Sequence, residues 1–248
     1  NNSIHSLEET VNKSDFVFVG VPTPMQSVDG GSIDLGIMDS VFEDINRVNK
    51  NNETIFIIKS TVIPGTTERY QSLYPEMRIV FNPEFLTERA ANLDFINSSR
   101  IVLGGNSEDV EKVSNLYRDR FPYTKIIATD SKSAEFIKYM CNCFFATKIS
   151  FMNEMYLMSE KIGADWSKIM EGFISDGRIG NSHIEVPGHD GDLGFGGKCF
   201  PKDINAFIGF FEAFGIDPIV LKSVWERNKT VRSDIDWSKI KGAVSSND

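Results

Sequence analysis

A chain of 248 residues suffices for one large domain or two modest ones with a substantial core, and its 41% hydrophobic and 25% charged residues are ordinary for a soluble globular protein. A formal net charge of −9 argues against a general nucleic-acid or anionic-membrane binder, while leaving room for a local basic pocket that holds a phosphorylated ligand. Three cysteines, two of them the close pair Cys141 and Cys143, make no disulfide framework and point to a reducing cytoplasm.

No apolar run approaches the roughly 18 residues of a membrane span, and the N-terminus lacks the order of a signal peptide. The first residue is Asn1, as expected of a fragment.

In chain order, 6–14 reads as a short polar helix with Leu7 and Val11 on one face. The apolar run 15–21 is a strand buried on both faces of a parallel sheet, ending at Pro22-Thr23-Pro24. Ligands of open α/β sheets lie beyond the carboxyl ends of such strands, which makes Thr23 a candidate contact, although a proline-punctuated turn would look the same. A turn-rich loop (28–36) precedes a helix over 37–49 with Val41, Ile45 and Val48 inward. The run 54–61 is a second buried strand, and Ser60-Thr61-Val62-Ile63-Pro64-Gly65 leads from it into another helix. Two successive strand–loop–helix units predict parallel strands with right-handed crossovers. Further strands are expected at 77–81, followed by Asn82-Pro83-Glu84-Phe85-Leu86-Thr87-Glu88, at 101–105 and at 125–128.

The proline-free segment 131–163 predicts one helix of roughly 50 Å. Its apolar residues occupy more than one face, so it is expected between layers or against another subunit. Lys138 and Asn142 lie four apart and share a face, to which Asn153 nearly returns. A lysine snorkelling to water beside a satisfied asparagine is the plain alternative to an anion site. Cys141 and Cys143 point to opposite sides and pack.

The stretch Gly194-Phe195-Gly196-Gly197-Lys198-Cys199-Phe200-Pro201-Lys202-Asp203 is a glycine-rich loop that delivers a cysteine to a helix start. Pro201 suits a first helical turn and Asp203 suits the positive end of the helix dipole. Cys199 therefore sits at or just before a helix N-terminus, flanked by Lys198 and Lys202, a setting that favours the nucleophilic thiolate. On composition alone, a small buried thiol beside an ordinary glycine turn is the commoner reading. Helices are expected over 204–214 and 218–232, then a polar tail.

The string GFGGKCFPKD resembles the active-site signature of the UDP-glucose/GDP-mannose dehydrogenase family, NAD-dependent enzymes that oxidise a nucleotide sugar to its uronic acid. VPTP (21–24), KSTVIPGT (59–66), NPEFLTE (82–88) and AEFIKYMCNCFFATKISFMNE (134–154) resemble its other signatures, in the family's order. The family's opening GxGxxG strand-turn-helix and its closing nucleotide-binding domain are not in this sequence. The resemblance implies a partial Rossmann-like α/β domain with a parallel sheet (1–129), an all-helical central domain built on one long helix (130–232), and a tail (233–248). It implies a homodimer through that helix, NAD as cofactor, no metal, and no nucleic-acid or membrane partner.

By the same resemblance, Cys199 adds to an aldehyde as a thiohemiacetal, becomes a thioester and is freed by water. Lys138 and Asn142 stabilise the oxyanion, Asp203 and Thr61 position water, and Glu84 is the acid–base group. Glu84, Phe85, Leu86, Thr87, Lys138, Asn142, Arg178, His183 and Gly196 are the implied substrate contacts. Thr23, Thr61, Glu88 and Lys202 are the implied cofactor contacts, although Lys202 could serve only to tune Cys199. Two other readings stay open: a β-hydroxyacid or 6-phosphogluconate type dehydrogenase, which needs no cysteine, and a non-catalytic dimeric remnant.

Overall fold

The computed structural model describes residues 5–245; the side chain of Glu88, an expected cofactor contact, lies outside the described residues. In chain order, α1 (Leu7–Lys13) and β1 (Phe16–Val19) lead into a hairpin of β2 (Met25–Ser27) and β3 (Gly30–Ile33). Then follow α2 (Gly36–Val48), β4 (Ile55–Ile58), α3 (Thr66–Leu73), β5 (Arg78–Phe81), a 3-10 turn (Glu88–Ala90), α4 (Ala91–Ile96), β6 (Arg100–Gly105), α5 (Ser107–Arg120) and β7 (Lys125–Thr129). The remainder is helical: α6 (Ser131–Ile162), α7 (Trp166–Ile174), α8 (Phe200–Ala213), α9 (Ile219–Val231) and a 3-10 turn (Asp236–Ser238). Contacts gather the chain into two units, 1–23 with 33–138 and 24–32 with 139–248, so the division falls inside α6.

The first unit is a five-stranded sheet in the order β1-β4-β5-β6-β7. β1, β4 and β5 are parallel, as the strand–loop–helix pattern predicts, but β6 runs antiparallel to β5. The reason lies in the connection: α4 has six residues and buries none of them, so it does not cover the sheet as a crossover helix must, and the chain turns back. β7 returns parallel to β6 through α5, whose Val110, Val113 and Tyr117 are buried. β1 is also less buried than expected. It is the outer strand, and Phe18 is 50% exposed, whereas all four residues of the interior β4 are buried. Val11, Met38, Phe42, Ile45, Phe56 and Ile58 form the core on one face, with Val41 and Val48 only partly buried against it. Leu7, expected on the face of Val11, is largely exposed.

The second unit is built on α6 from Tyr139 onward. Met152 packs with Ile184 and Val186 beneath Tyr156, Trp166, Met170 and Phe173. The expected loop at 28–36 is in part the β2–β3 hairpin, whose two-residue turn has no sharp signature because Val28 occupies it. The segment read as a polar tail packs against the second unit within its described residues, 233–245. Trp237 is buried and donates its Nε1–H to the Val28 carbonyl at 3.1 Å, while Met25 N–H donates to the Ala243 carbonyl at 2.8 Å. No helix among the described residues is long and apolar enough to cross a membrane.

Candidate active site

Cys199 is the N-cap residue of α8, with Pro201 in the first turn and Asp203 one turn on, its N–H donating to the Cys199 carbonyl at 2.8 Å. The thiol is exposed, which a nucleophile needs and a packing cysteine does not. Cys143 is the contrast: burial pushes its thiol far up, out of the reactive range, with the nearby Asp203 adding to the effect.

The glycine loop before Cys199 is held by buried amides. Asn153 Oδ1 accepts the Gly194 N–H at 3.0 Å. Asn228, wholly buried on α9, accepts the Phe195 N–H at 2.7 Å and donates to the Phe195 carbonyl at 2.9 Å. Asp236 accepts the Gly197 N–H with both oxygens, at 3.1 and 2.9 Å, and pairs with the buried Arg232 at 3.3 Å. A Cβ on Gly196 would run into Arg232 and Asp236, so glycine is required there by close approach. Asn228, Arg232 and Asp236 escape the sequence reading because nothing local marks them. Asn153 is noticed, but its partner is the loop backbone.

Asp203, 1% exposed, gathers two of the expected site residues. Its Oδ1 accepts Lys202 Nζ and its Oδ2 accepts Asn142 Nδ2, each at 2.5 Å. Lys202 is thus a buried partner of Asp203. The resulting group joins a carboxylate and an ammonium on the helix that presents Cys199 to an amide on α6, a polar cluster of the kind found where charge develops in a reaction.

In the first unit the loops after β1 and β4 are laced together. Ser60 Oγ accepts the Val21 N–H at 2.9 Å and donates to the Val21 carbonyl at 2.7 Å, and Thr23 Oγ1 donates to the Thr61 carbonyl at 2.8 Å. Thr23 and Thr61 therefore meet at the carboxyl ends of parallel strands. The N-terminus of α3 nearby is closed to a phosphate, because the buried Glu135 accepts the N–H groups of Gly65 (2.6 Å) and Thr67 (2.8 Å) and the Thr67 hydroxyl (2.6 Å). The Thr23 and Thr61 hydroxyl oxygens offer hydrogen bonding without positive charge, a set that fits the carboxamide of a nicotinamide better than a pyrophosphate.

Glu84 meets Lys138. Lys138 is buried and donates to the Glu84 carbonyl at 2.7 Å and to Oε1 at 3.1 Å, while Glu84 Oε2 accepts the Leu86 N–H at 2.7 Å. Phe85 lies under the Arg100 guanidinium at 4.1 Å, and Thr87 is held to Asp94 through N–H and hydroxyl. Arg178 is exposed and paired with Asp176. His183 stacks on Phe145 at 4.1 Å between ring centres, has its Nδ1 buried without a partner, and is pushed down by burial and then by Lys148.

Residues 2–120 match the NAD binding domain of the UDP-glucose/GDP-mannose dehydrogenase family, and residues 132–230 match its central domain. Over 224 residues the chain is 37% identical to the UDP-glucose 6-dehydrogenase of Rickettsia conorii, covering 87% of this chain and 49% of that protein. It is 33% identical to UDP-glucose 6-dehydrogenase TuaD of Bacillus subtilis, covering 93% and 50%. Among solved structures, the UDP-glucose dehydrogenase of Pyrobaculum islandicum superposes with a TM-score of 0.80 at 33% identity, over 91% of this chain and 52% of that one. The chain spans about half the length of the curated relatives it matches. On these matches and the motifs at its strand ends, the chain belongs to the UDP-glucose/GDP-mannose dehydrogenase family.

Proposed function

We propose that the protein takes part in the NAD-dependent, four-electron oxidation of a nucleotide sugar such as UDP-glucose to its uronic acid, with Cys199 as covalent nucleophile. The observation that carries this is an exposed thiol at the N-cap of α8, one turn from the buried Asp203 group and on a glycine loop fixed by Asn153 and Asn228. A rigid, solvent-reaching cysteine of this kind is what a second oxidation, beyond the aldehyde, requires.

The Cys199 thiolate adds to the aldehyde carbon, and the resulting oxygen anion is the charge assigned to Lys138 and Asn142. Thr23 and Thr61 would hold the nicotinamide end of NAD, and two NAD molecules bound in succession would take up one hydride each, the first from the alcohol and the second from the thiohemiacetal, which becomes the thioester. Water then cleaves the thioester and frees the thiol. Glu84 moves the proton, kept in place by Lys138 and its own Leu86 N–H, while Asp203 orients water. Phe85, Leu86 and Thr87 face the sugar, and Arg178 and His183 are further contacts to it.

We also place a second copy of the chain against α6. Met140, Phe144, Phe151, Met155, Met158 and Ile162 leave an apolar stripe 41–64% exposed along the helix. Light scattering should then give twice the chain mass, and a monomer at micromolar concentration would remove that part of the reading. The catalytic reading is tested by assaying UDP-glucose, GDP-mannose and an N-acetylated sugar nucleotide with NAD. Two NADH per acid formed supports it. A reaction that stops at one NADH and a carbonyl product points to the β-hydroxyacid type instead.

A further inference from the structure

Arg232, the C-cap residue of α9, has a side chain only 3% exposed. Its guanidinium pairs with Asp190 at 2.7 Å and with Asp236 at 3.3 Å, donates to the Asp234 carbonyl at 2.9 Å, and lies 3.5 Å from the Leu193 carbonyl. Both carboxylates hold backbone in turn. Asp236 accepts the Gly197 N–H with both oxygens, and Asp190 accepts the Asp192 N–H at 3.2 Å. Asp192 accepts the N–H groups of Leu193, Ser233 and Asp234 and the Ser233 hydroxyl. The guanidinium itself lies against Gly196, where a Cβ would strike it. The segment that follows is anchored further on, because Trp237 donates to Val28 and Met25 pairs with Ala243 and Ser245.

One planar fork thus joins the 190–193 turn, the glycine loop and the start of the C-terminal segment. Only arginine presents several donors in a fixed plane with that reach; an ammonium is a compact point charge. Asn153 and Asn228 hold Gly194 and Phe195, and Arg232 reaches the two glycines that follow, Gly196 by contact and Gly197 through Asp236. We infer that Arg232 is a positioning residue for Cys199: it clamps Gly196 and Gly197 to the 190–193 turn and so fixes where the thiol stands at the N-terminus of α8. The catalytic meaning of that placement rests on Cys199 as the nucleophile of the proposed reaction, but its test needs no turnover.

Two variants of opposite charge change, Arg232→Met and Asp190→Ala, are compared with the parent chain, with Arg232→Lys as a milder third. Hydrogen exchange is followed by mass spectrometry over the 190–199 peptide and over α6 around Met152. Alkylation by iodoacetamide is read on the Cys199 peptide at neutral pH, Cys199 being the exposed thiol and Cys143 a buried one. Both variants should speed exchange of 190–199 by about tenfold or more while α6 exchanges at the parent rate. Both should slow alkylation by about three- to tenfold, because a thiol that leaves the helix N-terminus loses the stabilisation of its thiolate. Arg232→Lys should shift both readouts the same way by less. Charge acting through space would move alkylation in opposite directions in the two variants, and a merely structural arginine would leave the rate of an already exposed thiol unmoved. An alkylation rate that is unmoved or raised in either variant, an unmoved 190–199 peptide, or a rise in exchange shared equally by α6 overturns the inference. Failure to oxidise any nucleotide sugar would remove the proposed reaction and leave both readouts standing.

Discussion

The loop that presents Cys199 and the strand ends that present Glu84 are held by different means. Around Gly194–Gly197 the backbone is fixed mainly by the neutral amides of Asn153 and Asn228, with Asp236, paired to Arg232, as the charged exception. Around Glu84 the scaffold is charged throughout, with Lys138 bonded to the carboxylate, Lys59 lining a cavity with it and Arg100 over Phe85. Amide scaffolds do not titrate and fix geometry at every pH, whereas charged ones fix geometry and electrostatics together and so carry a pH dependence. In the proposed reaction the nucleophile needs placement, and the proton-transfer group needs placement and a controlled charge.

The largest expected effect lies where a charge enters the otherwise amide-held region. Asp203→Asn leaves the buried Lys202 without its carboxylate, and should destabilise the second unit by about 3–5 kcal/mol in urea denaturation. A loss below about 1 kcal/mol would mean that the pair is solvated, and the contrast between neutral and charged scaffolds would weaken. Next comes Asn228→Ala, which strips both partners from the Phe195 backbone in a fully buried place. We expect a loss of about 2–4 kcal/mol with little change of that loss between pH 6 and 8. A strong pH dependence of the loss would contradict the amide account.

The smallest effect sharpens the charged side. Burial pushes Glu135 up to about 7 against the donors of Thr67 and Gly65. The folded protein therefore keeps a proton that the unfolded chain has already lost above about 4.5, so stability should fall as pH rises from about 4.5 to 7 and level off beyond. The contribution is about 1–3 kcal/mol, and Glu135→Gln should flatten that slope. A slope unchanged in Glu135→Gln would assign it to another group.

What the sequence makes legible follows the same line. The Cys199 loop and Asp203 stand out as contiguous residues and Lys138 and Asn142 as a pair sharing a helix face, while the chemistry assigned to them comes from the family resemblance. The four buried residues of β4 and the length of α6 follow from apolar patterning in the same way. The supports do not stand out. Asn228, Arg232 and Asp236 act on a loop more than thirty residues away in sequence, and Lys59 reads only as the polar end of a strand. The antiparallel β6 is hidden for a related reason: whether 82–99 makes a crossover depends on whether α4 finds a surface to cover, and its exposed Leu93, Phe95 and Ile96 look, in sequence, as if it does.

The central claim is that Cys199 forms an acyl intermediate, and intact-protein and peptide mass spectrometry of the chain mixed with UDP-glucose and NAD tests it most directly. The account predicts an added uronyl mass on the peptide containing Cys199, absent in Cys199→Ser, which should also lose acid formation by about a thousandfold or more while keeping its thermal midpoint. Acid formed at an undiminished rate by Cys199→Ser would contradict it.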